Sequence, residues 1–138
     1  MSKTINISNF FTRQNEENGV EKKIYINGEF TGIIAEIYGA NSNVVSVANE
    51  QYRKEIAEIN AIKDPMIKAE KNDIAFAKRM AGFVKSLKVE GGELVNDDGS
   101  VVTKDDFPTI MKESPLLARA ILEIASDTES FLDKKKND

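Results

Sequence analysis

The chain has 138 residues, 41% hydrophobic and 30% charged, a length and balance that suit one folded domain over residues 1–138 with a real core. Its net charge is −4, with 19 basic and 23 acidic residues mixed along the chain, so no long basic face is offered to a phosphate backbone and nucleic acid is not an expected partner. Cysteine and histidine are both absent, which excludes disulfides, thiolate and imidazole metal sites and the common histidine-based catalytic triads together.

The opening stretch MSKTINISNFFTRQNEE lacks the apolar run of about 7–15 residues that a signal peptide needs, and no segment approaches the ~18 apolar residues of a membrane span. Cytoplasmic residence and no membrane partner are the expectation. Residues 1–40 read as extended: TINISNF alternates with Ile5 and Ile7 on one face, KKIYI places Ile24 and Ile26, and TGIIAEIYG sets β-branched and aromatic residues between glycines. Asn27-Gly28 lies between IYI and EFTGIIAEI and predicts a type I′ hairpin, since both turn positions need positive φ. TINIS is a possible third strand, and the polar TRQNEENGVE reads as a loop.

From Ser42 the period changes. Val45, Ala48, Tyr52, Ile56 and Ile59 recur at steps of three and four and predict a helix that stops near Ile62. Asp64 then suits an N-cap and Pro65 the first turn of a second helix, striped by Ile67, Ile74, Ala77, Ala81, Val84 and Leu87 and antiparallel to the first. KVEGGELVNDDGSVV breaks the pattern, with Asp98-Gly99 as another hairpin turn. TKDDFPTIMKE predicts a short helix capped by Asp106 or Thr103, with Pro108 in its first turn. The last helix, expected over residues 113–132, has Ser114 as its cap and Pro115 at its first position. Leu117, Ile121, Ile124 and Phe131 share its face, and Lys134, Lys135 and Lys136 complement its dipole. The expected fold class is α+β and predominantly α-helical. An N-terminal β-hairpin or small antiparallel sheet precedes four helices, one of them short, with a second short β-turn region. The segments are a β-rich 1–40, a helical body over 42–133 and a charged tail over 134–138.

Few residues carry chemistry. Asp97, Asp98, Asp105 and Asp106 cluster, but NDDGS lacks the alternating oxygen ligands and distal glutamate of a calcium loop. A turn followed by a helix cap accounts for them. EGGE lacks the lysine and hydroxyl of a phosphate loop. No catalytic residue, cofactor or metal is therefore expected, and an enzyme built on Asp97, Asp98 and Lys104 is the weakest reading. The apolar terminal helix either closes the core or partly meets another chain. Candidate partner contacts are Leu117, Ile124, Phe131 and Leu132 on that helix, and Ile24 and Ile26 at the hairpin edge, where an unpaired strand can add a strand from another chain.

Three stretches together resemble a known family. YGANSNVVSVANEQYRKE is similar to the start of the helical region in tail assembly chaperones of long-tailed, siphovirus-type bacteriophages. DIAFAKRMAGFVKSLKVEGGELV resembles their second helix and following glycine-containing loop, and ESPLLARAILEIASDTESFL their terminal segment. The resemblance covers roughly residues 38–132. It departs from the family pattern at Phe83, where tryptophan is frequent, and the first 37 residues carry no matching motif. The resemblance implies a non-enzymatic, self-associating protein of the host bacterial cytoplasm that coats the tape measure protein and recruits tail tube protein. It also implies a longer form made by frameshifting, with which an A-rich codon run at Lys134–Lys136 would be compatible. The alternative is a small structural or inhibitory phage-type protein that binds a single host or virion protein through its hairpin.

Overall fold

The computed structural model describes residues 3–132. Its centre is a three-stranded antiparallel sheet in the order β1-β2-β3, formed by β1 (Val20–Ile26), β2 (Glu29–Ile37) and β3 (Val84–Val89). Five helices accompany it: α1 (Arg13–Asn18), α2 (Asn43–Ile59), α3 (Pro65–Ala81), α4 (Phe107–Glu113) and α5 (Pro115–Ser126). The fold is α+β.

The hairpin turn forms where Asn27-Gly28 places it, with φ of 54° and 81° at the two residues. Beyond it the β1–β2 register shifts between Lys23 and Tyr25, where β2 carries extra residues opposite Ile24. Thr31 bridges this irregularity. Its hydroxyl donates to the Ile24 carbonyl at 2.9 Å and accepts from the Ile33 N–H at 3.1 Å, while Gly32 takes a φ of 89°. A bulge of this kind bends the strand and leaves backbone groups that a side chain must satisfy. Ile33, Ala35 and Ile37 then alternate inward along β2.

The third strand comes from an unexpected place. TINIS forms no strand: Asn6 caps a single 3₁₀ turn over Ile7–Phe10. The strand that completes the sheet is β3, whose Val84 and Leu87 have the three-residue spacing of a helix stripe. A register shift opposite Glu36 and Ile37 inserts Lys85 as an extra residue, so Val84 and Leu87 both reach the core from a strand. The second helix stops at Ala81. Gly82 follows against α2, where an added Cβ would lie 2.8 Å from the Ala48 Cβ, and the chain turns directly into β3.

The helix entries follow the capping chemistry. Ser42, fully buried, accepts from the Val45 N–H at 3.2 Å and opens α2, which ends at Ile59 rather than near Ile62. The Asp64 carboxylate accepts from Met66 and Ile67 N–H groups at 2.9 and 3.4 Å, with Pro65 at the start of α3. The pairs Ala48–Gly82, Asn49–Arg79 and Tyr52–Phe76 run in opposite directions along α2 and α3, making them antiparallel. Thr103 and Asp106 act together rather than as alternatives, Asp106 accepting from the Thr103 N–H at 2.9 Å across the turn that opens α4. Ser114 occupies the entry to α5, but its side chain makes no capping bond, so Pro115 alone marks the start.

The terminal segment is not one helix. α5 ends at Ser126, Asp127 is extended and caps Glu129 through its carboxylate at 3.1 Å, and Thr128–Phe131 forms a separate 3₁₀ turn. One contiguous core joins Ile24, Ala35, Ile37 and Val84 of the sheet to Met80, Phe107, Met111, Leu117 and Ile121 of the helices. It spans both the β-rich and the helical halves of the chain. Lys134–Lys136 lie outside the described residues.

Candidate interaction surface

α1 stands where a loop was expected. It lacks an apolar period, so hydrophobic patterning could not reveal it. The signals it does carry are Thr12 before its first turn and Gly19, with φ of 84°, at its C-terminal end. Polar side chains dock it. Glu16 is 2% exposed and accepts from the Thr12 hydroxyl at 2.9 Å and the Asn41 N–H at 3.1 Å. Glu17 accepts from the Asn43 N–H at the start of α2 and from Arg13, both at 3.0 Å, and these bonds hold its carboxyl below the usual range. Asn15 donates to the Phe131 carbonyl at 2.8 Å, tying α1 to the terminal turn.

Ahead of α1, residues 3–11 run along the surface, with Ile5, Ile7, Phe10 and Phe11 each more than 60% exposed. A single exposed hydrophobe needs no explanation, but four within seven residues do. A depression of about 750 Å³ beneath this arm is lined by Phe11, Thr12, Glu16 and Asn41. Its buried carboxylate is already satisfied by Thr12 and Asn41 and offers no unpartnered group to a ligand.

The candidate contact residues divide. Ile24, Leu117 and Phe131 are 0%, 5% and 0% exposed, so in this fold they pack in the chain's own interior. Alternation along β1 turns Ile24 inward, and the break at Asp127 swings Phe131 back beneath α1 rather than out along a continuous helix. Ile26, Ile124 and Leu132 are half-buried. On α5 the exposed large hydrophobe is Leu116, off the stripe. Sequence periodicity singles out what is apolar on one face; it cannot tell a face covered from within from one left open.

The opposite face of the sheet remains open. Tyr25 and Phe30 pair at 5.7 Å between ring centroids, Lys23 lies 5.4 Å over the Phe30 ring, and Lys88 pairs with Glu21 across the strands. The outer edges of β1 and β3 pair with no other strand among the described residues. On the helical side, the Arg79 guanidinium lies 5.2 Å over Tyr52 and 5.5 Å over Phe83 and donates to Asn49 at 2.7 Å, a packing arrangement that consumes this cation.

Asp97, Asp98 and Lys104 are exposed and form no enclosed site. Asp98 accepts from the Ser100 N–H at 2.9 Å and its hydroxyl at 2.6 Å, bonds that lower its pKa and close the turn at Gly99, whose φ is 88°. Among the described residues, no group of three or more acidic side chains is placed to hold a metal ion, and no helix is long and apolar enough to cross a membrane. No family model, curated protein or solved structure matches the chain.

Proposed function

We propose that this chain is a non-enzymatic binding protein that works by assembly, a tail assembly chaperone of a long-tailed bacteriophage acting in the host bacterial cytoplasm. Its partners in this reading are the tape measure protein, tail tube protein and further copies of itself. The observation that supports the binding role is the N-terminal arm: Ile5, Ile7, Phe10 and Phe11 are each more than 60% exposed among the described residues, a concentration of apolar surface that a partner chain would bury. The partner class comes from the resemblance of residues 38–132 to that family. The outer edges of β1 and β3, which pair with no further strand among the described residues apart from the Val89–Gly92 bridge at the end of β3, support the same role, since an edge strand can accept an extended segment from a partner.

The Tyr25–Phe30 pair on the open hairpin face favours a second reading, a small protein that grips one host or virion protein through its hairpin. Co-purification with the tape measure protein of the same genome separates the two. The chaperone reading expects the full chain to retain that protein, and a chain lacking residues 1–11 to retain at most about a tenth as much, the loss typical of removing a binding hot spot. Failure of the full chain to retain it, with tight capture of one other protein that Tyr25→Ala abolishes, moves the function to the second reading.

A further inference from the structure

Between α3 and the corner of α4 and α5 lies a groove of about 270 Å³, floored by Phe76, Met111 and Leu122. Lys112 and Arg119 stand on its rim, with Asp73 the one carboxylate in its lining. Arg119 is exposed, and its side chain takes part in no hydrogen bond or ion pair among the described residues. Lys112 has only an exposed 3.5 Å contact with Glu113, its neighbour in sequence, an interaction that contributes little. The volume falls just below the ~300–1,000 Å³ of small-molecule sites. An apolar knob flanked by carboxylates matches this combination of floor and rim.

The chain itself displays such a knob. Val95 and Val101 face each other across an antiparallel bridge and are 50% and 49% exposed. Asp97 and Asp98 stand exposed at the tip beyond them. The hairpin is held in shape: the Asn96 N–H donates to the Ser100 carbonyl at 2.8 Å, the Gly99 N–H to the Asn96 carbonyl at 2.9 Å, and the Asn96 amide to Asp106 at 3.3 Å. A preorganised loop loses little entropy on docking. None of its residues lines the groove of its own chain.

We propose that the hairpin over residues 94–101 of one copy docks into the α3–α4–α5 groove of the next. The two valines cover Phe76, Met111 and Leu122, and Asp97 meets Arg119. Asp98 is already engaged by Ser100, which leaves Asp97 as the available charge. Knob and groove are different surfaces, so the contact is heterologous and builds open chains of copies rather than a closed two-fold dimer. This inference rests on the assembly reading and names the surfaces used between copies.

The test is a charge swap in the full chain, read by sedimentation velocity over a concentration series at low salt. Asp97→Lys and Arg119→Glu change exposed side chains that make no ion pair among the described residues, so circular dichroism should match the parent. Each single variant is expected to weaken self-association about tenfold by placing like charges together, and the double variant to recover most of it. Val95→Ser is expected to weaken it without recovery in either charge background. Parent assembly unaffected by the single variants, or a double variant as weak as the singles, overturns the pairing and leaves the assembly reading standing. A parent that is monomeric throughout also overturns it, and capture of the tape measure protein then judges the assembly reading by itself.

Discussion

Glu16 shows how a residue with no hydrophobic signal becomes structural. Its carboxylate is buried because Gly39 has no Cβ: one placed there would lie 2.3 Å from the Glu16 Cγ. Gly39→Ala is therefore expected to expel Glu16 and cost about 1–3 kcal/mol, measured as a shift in the urea midpoint. Glu16→Ala removes the acceptor of both the Thr12 hydroxyl and the Asn41 N–H and is expected to cost about 1–3 kcal/mol in the same assay. Phe131→Ala, which opens a cavity beneath α1, should cost about 3–5 kcal/mol. A partner-facing phenylalanine would leave stability unchanged. The surface carboxylates set the acid response. Glu17, held low by Arg13 and the Asn43 N–H, and Asp106, held low by the Thr103 N–H, both bind protons more weakly folded than unfolded. Their stabilisation is complete above the ordinary carboxylate range and is lost as pH falls through the lowered folded values. The urea midpoint is expected to be flat above about pH 5 and to fall below about pH 4, with a shallower fall in Glu17→Gln.

At the level of elements, local chemistry and long-range pairing have different legibility. Asn27-Gly28, Asp64-Pro65 and Asp98-Gly99 determine backbone angles within a few residues, and each produces the turn or cap it implies. β3 depends on a bulge at Lys85 that exists only once β2 is beside it, so its three-residue apolar spacing reads as helix until the partner strand is known. The bulge at Gly32 is similar, since Thr31 satisfies the Ile24 carbonyl across the hairpin. Thr31→Val keeps the shape and removes the hydroxyl. A loss of about 1 kcal/mol in chemical denaturation, with the hairpin amides exchanging faster than the rest of the sheet, is the expected outcome. α1 was illegible for a further reason: it is held by hydrogen bonds to Asn41, Asn43 and Phe131, residues as far as 116 positions away in sequence.

For the whole molecule, the core and the arm respond to truncation in opposite ways. Residues 3–11 contribute no buried side chain, so deleting residues 1–11 is expected to leave the melting temperature within about 2 °C while removing four exposed hydrophobes. Truncation after Asp127 removes the buried Phe131 and the carbonyl that anchors Asn15, and should lower the melting temperature by at least 8 °C, roughly the effect of 2 kcal/mol or more. A terminal segment that served only as a bridge to neighbouring chains would show the reverse, lost association with stability intact. The sequence by itself determined the α+β class, the first hairpin, the main helix entries and the placing of the acidic cluster at a turn, because those depend on interactions within a few residues. Only the tertiary structure decided which apolar residues are open to a partner. Burial is a property of what lies opposite, and the surfaces facing Ile24, Leu117 and Phe131 come from distant parts of the chain, while Ile5, Ile7, Phe10 and Phe11 stay exposed among the described residues.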